Sequence, residues 1–121
     1  MAEFHSVFIQ LKKILQKYED SLIVKKDMED EYDLNTPNNP ITESSDGYFG
    51  SVHIKKNYVS FYLMPVYAYP ELLEGSSEPL KKRMQGKSCF NFKKIDMGLF
   101  EELQVLTEKG FNQYKSSGWL E

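Results

Sequence analysis

Apolar residues recur along the chain at two different periods, one typical of helices and one typical of strands. From Phe4 to Tyr18 they recur every three or four positions, which predicts an amphipathic helix whose lysines face water. From Leu99 to Tyr114 the same period returns, and Asp96 is suited to cap that helix at its N-terminus. Two long helices are therefore predicted, with strand-like segments between them.

The strand-like segments centre on a hairpin. Residues 48–55 and 58–64 are rich in β-branched and aromatic side chains, and Lys56-Asn57 between them is suited to a two-residue turn. Further strands are predicted at residues 22–24 and 87–94. The hairpin register pairs Ile54 with Val59, Val52 with Phe61 and Gly50 with Leu63 on one face, and His53 with Ser60, Ser51 with Tyr62 and Phe49 with Met64 on the other.

The segments between these elements are less regular. Residues 27–33 are acidic and show no clear structural pattern, whereas the Thr36–Gly47 stretch, with two prolines, is typical of a loop. Residues 69–74 predict a helical turn, and residues 79–85 a short helix that begins with proline. Together these elements predict one domain, residues 1–121, with an α+β fold. In this fold a small antiparallel sheet carries the N- and C-terminal helices on one face and leaves the other open.

Composition narrows the class of protein. The single cysteine, Cys89, excludes a disulfide scaffold, and residues 1–6 lack the features of a signal peptide, so we expect a cytoplasmic protein. The longest mostly apolar stretch, residues 59–69, is too short to span a membrane. The net charge of −3 argues against a nucleic-acid binder and against a protein that binds anionic membranes. The separate acidic and basic segments are compatible with a homodimer.

The open sheet face carries the first set of candidate functional residues. Aromatic walls with a few convergent polar groups are typical of a small-molecule site. A histidine on this face titrates near neutral pH in an ordinary setting, and Cys89 becomes a nucleophile only where its pKa is lowered. The alternative is an ordinary sheet face, half-exposed or covered by the Thr36–Gly47 loop. The predicted ligand-binding residues are Phe49, Ser51, His53, Ser60, Tyr62, Met64 and Cys89.

Charged segments supply two further candidates. The acidic stretch offers hard oxygen ligands for iron or another metal, although a solvated acidic edge explains the same residues. The basic run from Lys81 to Lys94 interleaves with Phe90 and Phe92 as in sheet-based RNA binders, but the core needs these two phenylalanines. No phosphate-binding loop, zinc motif or nucleophile elbow occurs in the sequence. The predicted metal ligands are Asp27, Glu29, Asp30 and Glu31.

From residue 48 onwards the sequence resembles the YdhG-like family of small bacterial domains. The similarity lies in residues 48–54, 59–65, 86–94 and 96–99, and the run Gly-Lys-Ser-Cys-x-x-Phe from residue 86 is its most specific part. The resemblance implies a two-layer α+β sandwich. Members of the family are sometimes labelled frataxin-like iron-binding proteins or iron chaperones. The resemblance therefore also implies iron as a ligand and the acidic stretch as a weak iron surface.

Three classes of function are open on these grounds. The first is a non-enzymatic protein that binds a metal ion, iron above all, or a small molecule. The second is a small-molecule enzyme with a dispersed site around His53, Tyr62 and Cys89. The third is a protein–protein interaction module that uses the hairpin and the loop.

Overall fold

The helices and strands follow one another as a helix, four strands, two short helices, a strand and a helix. The computed structural model describes residues 2–43 and 47–120. No helix in these two ranges has the length and apolar character needed to cross a membrane. In chain order the elements are α1 (Ala2–Gln16), β1 (Ile23–Asp27), β2 (Glu31–Thr36), β3 (Gly47–Ile54), β4 (Val59–Leu63), α2 (Met64–Ala68), α3 (Glu78–Lys81), β5 (Cys89–Phe92) and α4 (Met97–Ser116).

The five strands form one antiparallel sheet in the order β1-β2-β3-β4-β5. The predicted hairpin register is confirmed from Gly50, which lies opposite Leu63, to Ile54, which lies opposite Val59. Strand β2 overlaps the end of the acidic stretch and continues past it, in a region where no strand was predicted. Its side chains alternate between the two faces, with Tyr32, Leu34 and Thr36 buried.

Both long helices pack on one face of the sheet, as predicted for an α+β fold. Phe61 and Phe90 are fully buried and Phe92 is 2% exposed, which confirms the predicted core face. The predicted cap of α4 is also confirmed, because the Asp96 side chain accepts a hydrogen bond from the Leu99 N–H. The helices contribute Val7, Phe8, Leu11, Ile14, Leu15, Phe100, Leu103, Leu106 and Tyr114 to this core.

A β-bulge in β3 makes the predicted position of Phe49 wrong. Leu34 of β2 lies opposite Gly50 and Asn35 lies opposite Tyr48, so Phe49 is an extra residue without a partner on β2. Such an extra residue breaks the strict alternation of a strand. Phe49 therefore joins the core, and the Tyr48 side chain occupies the open face in its place.

The surroundings of Phe49 show why the bulge is stable. Its ring is fully buried, and Met64, its predicted partner, instead begins α2. The Phe49 ring lies edge-on to two aromatic rings and tilted against a third, and such arrangements are favourable beyond the area they bury. These rings belong to Phe111, Tyr114 and Tyr18.

The described part of the Thr36–Gly47 loop is held near the C-terminal end of the chain. The Asn38 N–H donates to the Trp119 carbonyl at 3.2 Å, and the Asn38 amide donates to the Leu120 carbonyl at 3.2 Å. The Trp119 ring in turn stacks on Tyr114 at 4.0 Å between centroids. Residues 44–46 of the predicted loop lie outside the described residues. Asn38 is thus held on the side of the sheet that carries the core.

Replacing Gly110 by alanine should destabilise the protein, against helix propensity. A Cβ at Gly110 would lie 2.8 Å from the Pro65 Cβ, because α4 and α2 approach closely there. Alanine gains about 1 kcal/mol in helix propensity, but overpacking a tight contact costs about 1–3 kcal/mol. We expect a net loss of about 1 kcal/mol in urea denaturation. At Gly98, also in α4, the nearest atom would lie at 3.7 Å. Gly98→Ala is therefore the control, and a gain in both variants would contradict the close contact.

Candidate functional site

The sheet face opposite the long helices is polar. Side chains from β2, β3, β4 and β5 meet on it because alternate residues of each strand point to the same side. Five of the predicted ligand-binding residues lie there, whereas Phe49 and Met64 do not. The face is formed by Glu31, Asp33, Asn35, Tyr48, Ser51, His53, Ser60, Tyr62, Cys89 and Asn91.

One half of this face carries hydrogen-bonded side chains on β3, next to a charged pair on the neighbouring strands β1 and β2. The Ser51 Oγ is 3.0 Å from the His53 Nε2 and is also bonded to the Tyr48 hydroxyl. The His53 Nδ1 is 3.7 Å from the Glu31 Oε2, which pairs with the Lys26 Nζ at 3.2 Å. Burial lowers the pKa of His53, while the Glu31 carboxylate opposes this shift. The neutral imidazole is therefore favoured at neutral pH.

The order Ser51, His53 and Glu31 resembles a nucleophile, its base and an orienting acid. Ser51, however, is fully buried, and its Oγ is already bonded to the Tyr48 hydroxyl, so a substrate carbonyl has no access to it. The thiol of Cys89 is not activated either, because burial raises its pKa. The geometry therefore supports binding better than nucleophilic catalysis.

The other half of the face is a second hydrogen-bond network, on β4 and β5. The Asn91 Oδ1 accepts from the Ser60 hydroxyl at 2.7 Å and from the Cys89 thiol at 3.3 Å. The Asn91 Nδ2 donates to the Gln85 Oε1 at 2.8 Å. These bonds tie the side chains of three segments together. They position the floor of a surface depression.

The depression has a volume of about 350 Å³. The ring of Tyr62 lies on one side of it and packs edge-on against His53, with 5.3 Å between the centroids. The Lys55 Nζ lies 6.0 Å from the centre of the Tyr62 ring, within reach of a cation–π contact. Aromatic walls with fixed polar groups are the features of a small-molecule site. The lining residues are Lys55, Tyr58, Ser60, Tyr62, Gln85, Cys89 and Asn91.

The predicted metal ligands do not converge. The Asp27 Oδ1 pairs with the Lys12 Nζ at 2.7 Å, on the helix side of the sheet, whereas Glu31 lies on the open face. Glu29 and Asp30 are exposed in the turn between β1 and β2. Over residues 2–43 and 47–120, no three His, Cys, Asp or Glu side chains form a group able to hold a metal ion. In the described structure these four residues therefore do not form one cluster of metal ligands.

Comparison with protein-family models, with curated proteins and with solved structures finds no match. Membership of the YdhG-like family thus stays a prediction.

Asp33 belongs to this face, and sequence reasoning placed it only in the acidic stretch because β2 was not predicted. It lies opposite Ser51 on β3 and Lys26 on β1. Its Oδ1 is buried and has no hydrogen-bond partner within residues 2–43 and 47–120. Burial raises the pKa of Asp33, and Glu31 adds to the shift, while His53 and the lysines of β1 oppose it. The ionised carboxylate is therefore a cost to the fold.

Asp33→Asn should raise the free energy of unfolding at neutral pH by up to about 1 kcal/mol. The folded protein binds the Asp33 proton more tightly than the unfolded chain, so stability falls as pH rises through the pKa of Asp33. The gain of the variant should therefore shrink as pH falls towards 3.8, the ordinary pKa of this group. Urea denaturation over this pH range measures it. Asp30→Asn in the exposed turn is the control. An equal gain in stability there would show that burial of the Asp33 carboxylate is not the cause.

Proposed function

We propose that this protein is a non-enzymatic binding protein of the cytoplasm that holds a small, partly apolar molecule on its open sheet face. The depression beside Tyr62 carries the proposal. It combines an aromatic wall with hydrogen-bonding side chains already fixed by the Asn91 network. Asn38 of the neighbouring loop is held by Trp119 and Leu120, away from this face.

The preorganisation of the depression favours binding. Ser60 and Asn91 are held by hydrogen bonds, so little side-chain freedom is lost when a ligand enters. Tyr62 supplies apolar area next to Tyr58, and both rings border the same depression. The ligand is expected to place its apolar part on these rings and its polar part towards Gln85.

The exposed edge strand β1 gives little support for a partner protein that would add a strand there. All five residues of β1 are exposed, so this strand offers a free edge. Its pairing with β2 shifts between Val24 and Lys26, which is the mark of a bulge, and Lys25 and Lys26 place two charges there. Bulges and lysines at an edge strand disfavour the addition of another strand. A homodimer through β1 would have to overcome both.

A thermal-shift screen with a library of small molecules tests the proposal. Compounds that bind should raise the Tm of the native protein. At a ligand concentration of 100 times the Kd, the free energy of unfolding rises by about 2.7 kcal/mol. Tyr62→Ala should fold normally and lose this gain, and His53→Ala should reduce it, because His53 packs against the Tyr62 ring without lining the depression. Ferrous ion belongs in the same screen, because stabilisation by ferrous ion alone would favour the iron hypothesis instead.

Matched controls exist for both substitutions. Tyr67 is 54% exposed on α2, and His5 is exposed on α1, so Tyr67→Ala and His5→Ala change the same residue types away from the depression. The controls should keep the full ligand-induced shift. If Tyr62→Ala also keeps the ligand-induced shift, or is already unfolded before any ligand is added, the open face is not the binding site.

A further inference from the structure

A second depression continues the first around the outer side of β5. Its volume is about 330 Å³, and it shares Tyr58, Gln85 and Asn91 with the depression beside Tyr62. Its other lining residues include Lys82, Arg83 and Lys93. We name these three cationic residues and the space between them the basic groove.

The basic groove is held in place by the backbone. The Asn91 N–H donates to the Arg83 carbonyl at 2.8 Å, and the Gln85 N–H donates to the Cys89 carbonyl at 2.9 Å. Residues 83–85 therefore run alongside β5 like a further strand. This pairing brings the cations that follow α3 next to Lys93, which follows β5.

The cations of this region have no acidic partner. Among residues 2–43 and 47–120, no carboxylate lies within 4.0 Å of the charged atoms of Lys55, Lys82, Arg83 or Lys93. The described residues that line the two depressions include no Asp or Glu. In a chain with a net charge of −3, this is a local excess of positive charge. Such an excess attracts anions and raises their local concentration.

The hydrogen-bond network also favours an acceptor-rich ligand. The amide oxygens of Asn91 and Gln85 both accept bonds from within the protein. No acceptor in the described part of the chain binds the Gln85 Nε2, which is left as a donor where the two depressions meet. Together with the cations, it offers a ligand hydrogen-bond donors and positive charge. Phosphate oxygens are strong acceptors for such groups.

We propose that the ligand of the open face carries a phosphate beside a planar ring, as a mononucleotide does. The ring lies against Tyr58 and Tyr62, because stacking on aromatic side chains suits any planar base. The phosphate lies in the basic groove, on the far side of Gln85. This inference rests on the proposed function and adds the chemical class of the ligand.

Amide chemical shifts of the full chain, titrated with AMP, adenosine and inorganic phosphate, test the inference. AMP should give saturable shifts on β4, on β5 and in residues 82–85. Adenosine and phosphate should each bind at least about tenfold more weakly than AMP, since each lacks half of the contacts. Absence of shifts with AMP, CMP, GMP and UMP would overturn the inference. Equal affinity for AMP and adenosine would do so too.

Charge variants localise the phosphate. A triple variant, Lys82→Gln, Arg83→Gln and Lys93→Gln, should bind AMP at least about tenfold more weakly. The control removes three exposed lysines elsewhere: Lys17→Gln, Lys109→Gln and Lys115→Gln. It loses the same charge and should keep its affinity. An equal loss in both variants would show a general charge effect and contradict phosphate binding in the basic groove.

Two further outcomes separate this inference from the proposed function. If neutral compounds stabilise the protein through Tyr62 while AMP does not bind, the phosphate inference fails and the proposed function stands. If a single-stranded RNA binds far more tightly than AMP at equal nucleotide concentration, the ligand is a nucleic acid and the inference fails.

Discussion

Replacing Phe61 by alanine should lower the free energy of unfolding by about 3–5 kcal/mol, the range typical of a large aromatic side chain removed from a core. Phe61 has no exposed surface, and its ring lies edge-on to that of Phe90 with 6.5 Å between centroids. The long helices close over both rings, so the surroundings cannot collapse into the space left behind. Urea denaturation measures the loss.

The neighbouring residue provides the control. Tyr62 follows Phe61 in β4 but points to the open face, where it is half-buried. Tyr62→Ala should therefore cost clearly less, because it opens no cavity in the core. A cost below about 1 kcal/mol for Phe61→Ala would contradict the register of the hairpin and the position of the core.

Phe49→Ala should cost a similar amount, about 3–5 kcal/mol, because Phe49 belongs to the core and not to the binding face. Its ring contacts the rings of Tyr18, Phe111 and Tyr114, from both ends of the chain. Loss of this cluster should also weaken the near-ultraviolet circular dichroism of the folded protein. Equilibrium denaturation and this spectrum are the two measurements.

Phe49→Leu separates packing from recognition. Leucine keeps much of the buried volume, so we expect a smaller loss of stability than for alanine. Ligand binding at the depression should persist in Phe49→Leu, since Phe49 does not line it. A stable Phe49→Ala protein that fails to bind ligand would place Phe49 on the open face and contradict the bulge.

The hairpin shows how much a local pattern predicts. Lys56-Asn57 marks the turn, and a register slip by one residue would exchange the two faces of both strands. Only one register puts Val52, Phe61 and their neighbours together, and the structure has that register. For the same reason Ser51, His53, Ser60 and Tyr62 were correctly predicted to share a face.

The acidic stretch shows where composition misled the interpretation. Tyr32, Leu34 and Thr36 alternate with polar residues, which is the period of a half-buried strand. The surrounding carboxylates favoured a metal-binding interpretation, and the alternation was not recognised as a strand. Because β2 was not predicted, Asp33 was not placed on the open face. The alternation itself was the available signal.

The sequence by itself determined the two long helices, the hairpin register and the side on which Phe61, Phe90 and Phe92 are buried. These features depend on periodicity and turn residues, which act over a few positions. The tertiary structure alone decided the bulge at Phe49 and the contact of Gly110 with Pro65. Each of these depends on atoms far apart in the chain. Only the packed fold brings such atoms within contact distance, so no local pattern records them.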